Sequence, residues 1–319
     1  MYFIVANPNS DRGRTMFYLP VFTALFDKAG IPYEMHITKD SMDGYNETLK
    51  FCQRQPGLKG VIGIGGDGVV QEIAAGMADA FITPDNNKIP IPLGILPSVT
   101  GNDFISTLEG DKHLAKMKYG KNKNIEEVCQ CLFDAVVSDR FQTIDILTAN
   151  GMAFLLNGYV GVDAEVARSE LKSKERLNDK TYVTAAFKAI SKYKNLNLTI
   201  DVVNGNEHTS NTGEYAIVVV ANGQYYGSGM RICPDAKLDD GKITLCRLHG
   251  RSRLRMLLTF LLILMEKHVN LKTISFVECD SVKITLPPER DFMCLDGNIY
   301  PCKEEIQFKI LPRAMKIFR

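Results

Sequence analysis

The sequence predicts an α/β domain on a mainly parallel sheet, followed by an all-β, sandwich-like domain with helical insertions. Three observations carry this expectation. Over the first third of the chain, short continuous apolar runs alternate with segments of helical period. After about residue 140, period-two alternation and Asn-Gly pairs between strand-like runs replace them. The length, 319 residues, is more than one hydrophobic core usually serves. We therefore expect a first domain over residues 1–138 and a second over residues 139–319, with the C-terminal segment able to pack back on the first.

The elements follow in order. Residues 2–6 form an uninterrupted apolar run, as in a strand buried on both faces. A helical stretch ends at Gly30, a suitable C-cap, and Pro20 inside it implies a kink or a late start. Residues 33–38, 60–64 and 92–96 read as further strands, and Ser41 as the cap of the helix between the first two of these. Val70, Ile73, Ala74, Met77 and Phe81 recur at helical spacing. In the second half, Leu196, Leu198, Ile200 and Val202 alternate with polar residues, and Asn150-Gly151 and Asn204-Gly205 look like hairpin turns. Strands are expected at 215–221, 242–248, 282–286 and 305–310, and helical insertions near 179–194 and 251–267.

Composition narrows the function classes. A net charge of +1 offers no whole-molecule field for nucleic acid. Of eight cysteines, Cys129 and Cys131 are close, but they lie on a helical pattern with no histidine nearby, which reads as helix face rather than metal site. No secretory leader is visible, so we expect a cytoplasmic location and free thiols. The longest apolar run, residues 256–265, is half of a membrane span. Arg251, Arg253 and Arg255 precede it and suit peripheral contact with anionic headgroups.

Gly65, Gly66, Asp67 and Gly68 lie between a buried strand and a helix. Three glycines let backbone approach an anion, and a helix start adds N–H groups and partial positive charge. The same four residues also suit a plain tight turn with a capping aspartate. The loops at residues 7–13 and 97–104 end other strands of the same domain, so all three can meet at one edge of the sheet.

The run Gly65 to Gly68 is followed in order by Thr100, Gly101, Asn102, Asp103 and Phe104. Then come Gly229, Met230 and Arg231 with the stretch from Pro234 to Gly241, and last Leu295, Asp296 and Gly297. This series resembles the diacylglycerol kinase catalytic-domain family, which includes bacterial lipid kinases and sphingosine kinases, over nearly the whole chain. The resemblance implies an ATP-dependent lipid kinase acting on a diacylglycerol-like or sphingoid hydroxyl at a membrane surface. It implies nucleotide contacts at Thr38, Gly65, Gly66, Asp67, Gly68, Val69, Val70, Gln71, Thr100 and Asn102. It further implies catalytic roles for Asp67, on the magnesium of the nucleotide, and for Asp296, as proton acceptor. A structural Mg2+ would be held by the Lys237 carbonyl, the Asp240 carboxylate and the Lys242 carbonyl. A homodimer is compatible with it.

The chain departs from the family pattern at Val69, Gln71 and Val99, where threonine, asparagine and glycine are usual. It also carries Asn298 where the family has glutamate after Asp-Gly. An amide does not accept a proton near neutral pH. Two other readings stand beside the lipid kinase: an NAD kinase-like enzyme with a soluble substrate, and a catalytically weakened lipid or nucleotide binder.

Overall fold

The computed structural model describes residues 1–319 apart from Arg12, residues 99–101, Lys121, Asp163, residues 166–188, residues 191–192, Ser228 and Arg251. The chain divides into two compact units, Met1–Ile146 with Leu311–Arg319, and Leu147–Ile310.

In the first unit, β1 (Tyr2–Ala6), β2 (Tyr33–Ile37), β3 (Gly60–Gly65) and β4 (Leu93–Pro97) pair in parallel, in the order β4-β3-β1-β2. The end of β17 (Glu305–Phe318) joins β4, also in parallel, with Ile317 opposite Leu93. All five residues of β1 are buried, which explains its unbroken apolar run. Phe3 stacks on Phe51 of α2 (Asp43–Arg54), with ring centroids 4.0 Å apart. Tyr2, Ile4 and Ala6 join a cluster with Tyr18, Phe22 and Phe26 of α1 (Thr15–Ala29) and with Val128, Cys129 and Leu132 of α6 (Ile125–Val137). Helices thus cover both faces of the sheet. Between β3 and β4 runs α3 (Asp67–Phe81), buried from Val69 to Ala78 rather than along one stripe. After β4 come α4 (Asp103–Glu109) and α5 (Lys112–Tyr119).

Gly30 does cap α1, at φ 63°, with its N–H on the Phe26 and Asp27 carbonyls. Pro20 does not delay that helix, which already starts at Thr15. Cys129 is buried and Cys131 exposed, as two positions on one helix surface. The expected Ser41 cap is not formed. The N-cap of α2 is Met42, at φ 66° and without a side-chain cap bond. Its place is taken by Glu72 of α3, whose Oε1 accepts from the Met42 N–H at 3.0 Å and whose Oε2 accepts from the Gly44 N–H at 3.1 Å. A carboxylate can take two N–H donors at a helix start, where a serine hydroxyl takes one.

The second unit is antiparallel. Its ladder runs β16 (Asn298–Pro301), β15 (Phe292–Leu295), β7 (Asn157–Gly161), β9 (Glu207–Ala221), β8 (Leu196–Asn204), β14 (Ser281–Thr285) and the first part of β17. The second half of β9 also pairs with β12 (Ile243–His249), which pairs with β13 (Ile274–Cys279). β5 (Phe141–Ala149) and β6 (Met152–Phe154) form the hairpin expected at Asn150-Gly151, with φ 49° and 88° at the turn. The β8–β9 turn falls one residue later than Asn204-Gly205. Asn204 pairs with Glu207, so Gly205 and Asn206 make the turn, with φ 58° at Gly205. A positive φ at the first turn residue alone is the II′ hairpin that favours glycine there. The short strands β10 (Tyr225–Tyr226) and β11 (Met230–Arg231) pair with each other. The insertion expected at 251–267 is α7 (Arg253–Leu264). The one expected at 179–194 falls largely outside the described residues. Among the described residues no helix is long and apolar enough to cross a membrane.

Candidate functional site

Four parallel strands of the first unit end on one edge, and backbone bonds tie their loops together. The Asn7 N–H donates to the Ile64 carbonyl at 3.0 Å, the Thr38 N–H to Ala6 at 2.9 Å, and the Ser98 N–H to Gly65 at 3.3 Å. The Thr15 and Ser98 hydroxyls are 2.6 Å apart. Gly65 is required by this convergence: an added Cβ would run into Val69 Cγ1 and reach within 3.2 Å of Ser10 Oγ.

Two helices start at this edge, and they are capped differently. At α4 every early N–H has an acceptor. Asn102 is the N-cap and its Oδ1 accepts from the Ile105 N–H at 2.8 Å. Asp67 reaches across from α3 and accepts from the Asp103 N–H at 2.9 Å and the Phe104 N–H at 3.0 Å. At α3 the N-cap is Gly66, and it makes no side-chain cap bond. The 15-residue α3 thus points its positive end at the loops from behind a cap residue with no side chain, while Asp67 directs its carboxylate to the start of the neighbouring helix. Two buried polar atoms in these loops have no hydrogen-bond partner, Ser10 Oγ and Asn102 Nδ2. Their residues are 1% and 6% exposed, so solvent does not readily satisfy them, and both can donate to an anion.

The other described side chains expected to contact the nucleotide are all buried. Thr38 is buried at the end of β2. Val69, Val70 and Gln71 are buried within α3. Thr100 lies outside the described residues. Glu72, which caps α2, has its carboxyl pushed up by burial, against the pull of the Met42, Gly44 and Tyr45 amides. Asp43 beside it behaves oppositely: burial pushes it up, but bonds from His36 and the Lys39 amide leave it below the ordinary value.

In the second unit, Asp296 and Gly297 form the two-residue turn between β15 and β16, with Leu295 opposite Asn298 and φ of 46° and 87°. This is the I′ geometry in which Asp-Gly is favoured. The Asp296 carboxylate accepts three consecutive backbone N–H groups. Leu155 donates to Oδ2 at 2.7 Å, and Leu156 and Asn157 donate to Oδ1 at 3.0 and 2.8 Å. The Asp296 N–H returns a bond to the Asn157 carbonyl at 2.9 Å. Asn157 is 1% exposed; its Nδ2 donates to the Tyr225 carbonyl at 2.7 Å, and its Oδ1 has no partner.

The loop from Pro234 to Gly241 carries three exposed carboxylates, Asp235, Asp239 and Asp240, and the Asp240 Oδ1 accepts from the Lys242 N–H at 2.9 Å. The Lys242 ammonium turns to Asp280 at 2.7 Å and Asn204 at 2.8 Å. Among the described residues no three His, Cys, Asp or Glu side chains gather as a metal-binding group. One carboxylate and the carbonyls of Lys237 and Lys242 are three hard oxygens, a set that suits magnesium with water in its other positions.

Comparison with known families decides the lineage. Residues 1–149 match the diacylglycerol kinase catalytic domain, and residues 157–319 match the YegS C-terminal NAD kinase beta sandwich-like domain. The chain belongs to the diacylglycerol kinase catalytic-domain family. A Mycobacterium tuberculosis relative named "Diacylglycerol kinase" is 26% identical over 269 residues, covering 82% of this chain and 77% of its own. An Enterobacter relative named "Probable lipid kinase YegS-like" is 28% identical over 218 residues, covering 68% of this chain and 64% of its own. In a Staphylococcus carnosus relative the matched stretch is 59% of the length. A solved structure of a diacylglycerol kinase from Bacillus anthracis str. Sterne superposes with a TM-score of 0.69 at 21% identity, over 99% of this chain and 96% of that one, and shares the fold.

Within this diacylglycerol kinase-family chain, Thr38, Gly65, Gly66, Asp67, Gly68 and Asn102 gather at the strand ends of the first unit. Asp296, Lys237, Asp240 and Lys242 all lie in the second unit. Sequence reasoning missed Ser10, Glu72 and Asn157. Ser10 sits in a loop already noted as a strand end, and its hydroxyl was the available signal. Glu72 and Asn157 carry no local signal, because each matters only through partners 27 or more positions away.

Proposed function

We propose that this chain is an ATP-dependent lipid kinase that transfers the γ-phosphate to a lipid hydroxyl. The observation that carries the proposal is the glycine-rich α3 start, whose N-cap Gly66 has no side chain of its own, together with Ser10 Oγ and Asn102 Nδ2 in the same loops, which have no hydrogen-bond partner among the described residues. Backbone N–H groups, a helix dipole and two buried donors favour a phosphate at that place. Relatives named lipid kinase and diacylglycerol kinase support a lipid alcohol as acceptor.

In this reading Gly65, Gly66 and Gly68 let the phosphates approach the backbone, and Thr38, Val69, Val70, Gln71 and Thr100 complete the nucleotide contacts. Asp67 holds the start of α4, and with it Asn102, in register. Its carboxylate would also help hold the magnesium that accompanies the nucleotide. Asp296 takes the proton of the lipid hydroxyl, its carboxylate fixed in one orientation by three N–H groups. Asn298 supplies no second carboxylate, so turnover is slow. Bound magnesium supplies charge neutralisation between the phosphates, where phosphoryl transfer needs positioning and electrostatics more than covalent chemistry. The Lys237 and Lys242 carbonyls and the Asp240 carboxylate would hold a second, structural magnesium that braces the second unit.

Transfer of labelled γ-phosphate from ATP into a total lipid extract, with product identification, tests the proposal. A labelled lipid is the expected result. Label in NADP instead identifies the NAD kinase-like activity, and label in neither product overturns the kinase reading in favour of a binding protein, the outcome that Asn298 favours.

A further inference from the structure

Helix α7 buries one side and leaves the other bare. Met256, Thr259, Phe260 and Ile263 face the unit and are 3%, 6%, 7% and 2% exposed. Leu254, Leu258, Leu261 and Met265 are 69%, 53%, 41% and 58% exposed. Their spacing, four, then three, then four residues, places them on a single stripe opposite the buried one. Isolated exposed leucines are ordinary, but an aligned row along a 12-residue helix calls for a partner.

Charge says which partner. Arg253 and Arg255 are exposed at the start of the helix, and Lys267 and Lys272 are exposed beyond its end. The acidic residue in that stretch, Glu266, lies 4.0 Å from Arg231 in an ion pair. An apolar stripe with cations at both ends matches an anionic bilayer, which accepts the leucines among its acyl chains and the cations at its headgroups. A second copy of this chain is the poorer match, since a twofold contact through the same face sets cations against cations.

We propose that α7 is an interfacial helix that seats the chain on an anionic lipid surface through Leu254, Leu258, Leu261 and Met265, with Arg253, Arg255, Lys267 and Lys272 on the headgroups. The purpose of the contact rests on the lipid-kinase reading. The contact itself does not, because it needs neither ATP nor turnover.

The test is co-sedimentation of the full chain, without ATP, with vesicles of phosphatidylcholine alone or mixed with phosphatidylserine. Wild type should prefer the anionic vesicles and release them at high salt. Changing Leu254→Gln, Leu258→Gln and Leu261→Gln together should weaken binding by roughly tenfold or more, since partial burial of three leucines is removed. Changing Arg253→Gln, Arg255→Gln and Lys267→Gln together should weaken binding to anionic vesicles by about a hundredfold, at roughly fivefold per cation, and leave neutral vesicles unaffected. Melting temperature should stay at the wild-type value in both. If the leucine variant melts lower, the cation variant alone decides.

Failure of wild type to bind anionic vesicles, or a cation variant that binds them as well as wild type, overturns the proposal. A wild-type dimer that the leucine changes split, with vesicle binding unchanged, assigns the face to a second copy instead. A chain that phosphorylates detergent-dispersed lipid but ignores vesicles loses only the docking face. One that binds vesicles but transfers no phosphate loses only the kinase reading.

Discussion

Asp67 in the first unit and Asp296 in the second solve the same local problem in different settings. Each accepts consecutive backbone N–H groups from a segment distant in sequence, two for Asp67 and three for Asp296. Asp67 does so at a helix start, reaching from the first position of α3 to cap α4. Asp296 does so from a hairpin turn, and it pins the entry to β7. Among the described residues, Ser10 Oγ and Asn102 Nδ2 in the loops of the first unit lack partners and can donate, whereas Asn157 Oδ1, next to the bonds of Asp296, lacks one and is an acceptor. A donor-rich cradle suits a phosphate and an acceptor suits a hydroxyl. The two carboxylates look alike in sequence, yet one holds a helix start and the other pins a hairpin turn to the entry of β7.

The comparison breaks most directly at Asp67. Asp67→Ala should reduce phosphate transfer by more than about a hundredfold, because it frees the α4 start and with it Asn102. It should also cost about 1–3 kcal/mol for the N–H groups left without acceptors, visible as a lower melting temperature. Near-wild-type transfer in this variant would contradict the cradle.

Asp296 and Asn298 sharpen the other half. Asn298→Glu should raise turnover, with about 10²–10⁴-fold as the range general-base catalysis supplies. Asp296→Asn should abolish transfer. If it lowers melting temperature as much as activity, Asp296 is an anchor rather than the base. A wild type that is active and indifferent to both changes places the base elsewhere.

A smaller effect is expected at the Asp240 loop. Magnesium titrated into wild type should raise the melting temperature by mass action, and Asp240→Ala should remove that rise. Equal melting curves with and without the ion, in both proteins, would reduce the loop to a turn.

The smallest is a pH effect at Glu72. Burial raises its carboxyl above the ordinary 4.5 in the folded chain. A raised carboxyl binds its proton more readily folded than unfolded. Its stabilising contribution is therefore full below the ordinary value and declines as pH rises through the folded value. Glu72→Gln should flatten melting temperature against pH over that window. An unchanged slope would mean that Glu72 is not the group responsible.

Local sequence determined much of this protein. The unbroken run of β1, the alternation of β8, Gly30 as C-cap and Asn150-Gly151 as turn all follow from the residue's own backbone preferences and the period of burial, and the structure has each of them. The strand-to-helix turn at Gly65 to Gly68 was legible for the same reason, since glycines between a buried strand and a helix start act through adjacent atoms. What only the tertiary structure decided is where the side chains of Asp67, Glu72, Asp296 and Asn157 go. Asp67 looked like a metal carboxylate and also caps α4; Ser41 looked like the cap of α2, and Glu72 from another helix took that place. The exposed row on α7 belongs with these, because its apolar run gives no sign of which side the fold will leave bare. Hydrogen bonds between segments dozens of positions apart depend on how elements pack, and periodicity read along the chain carries no record of that.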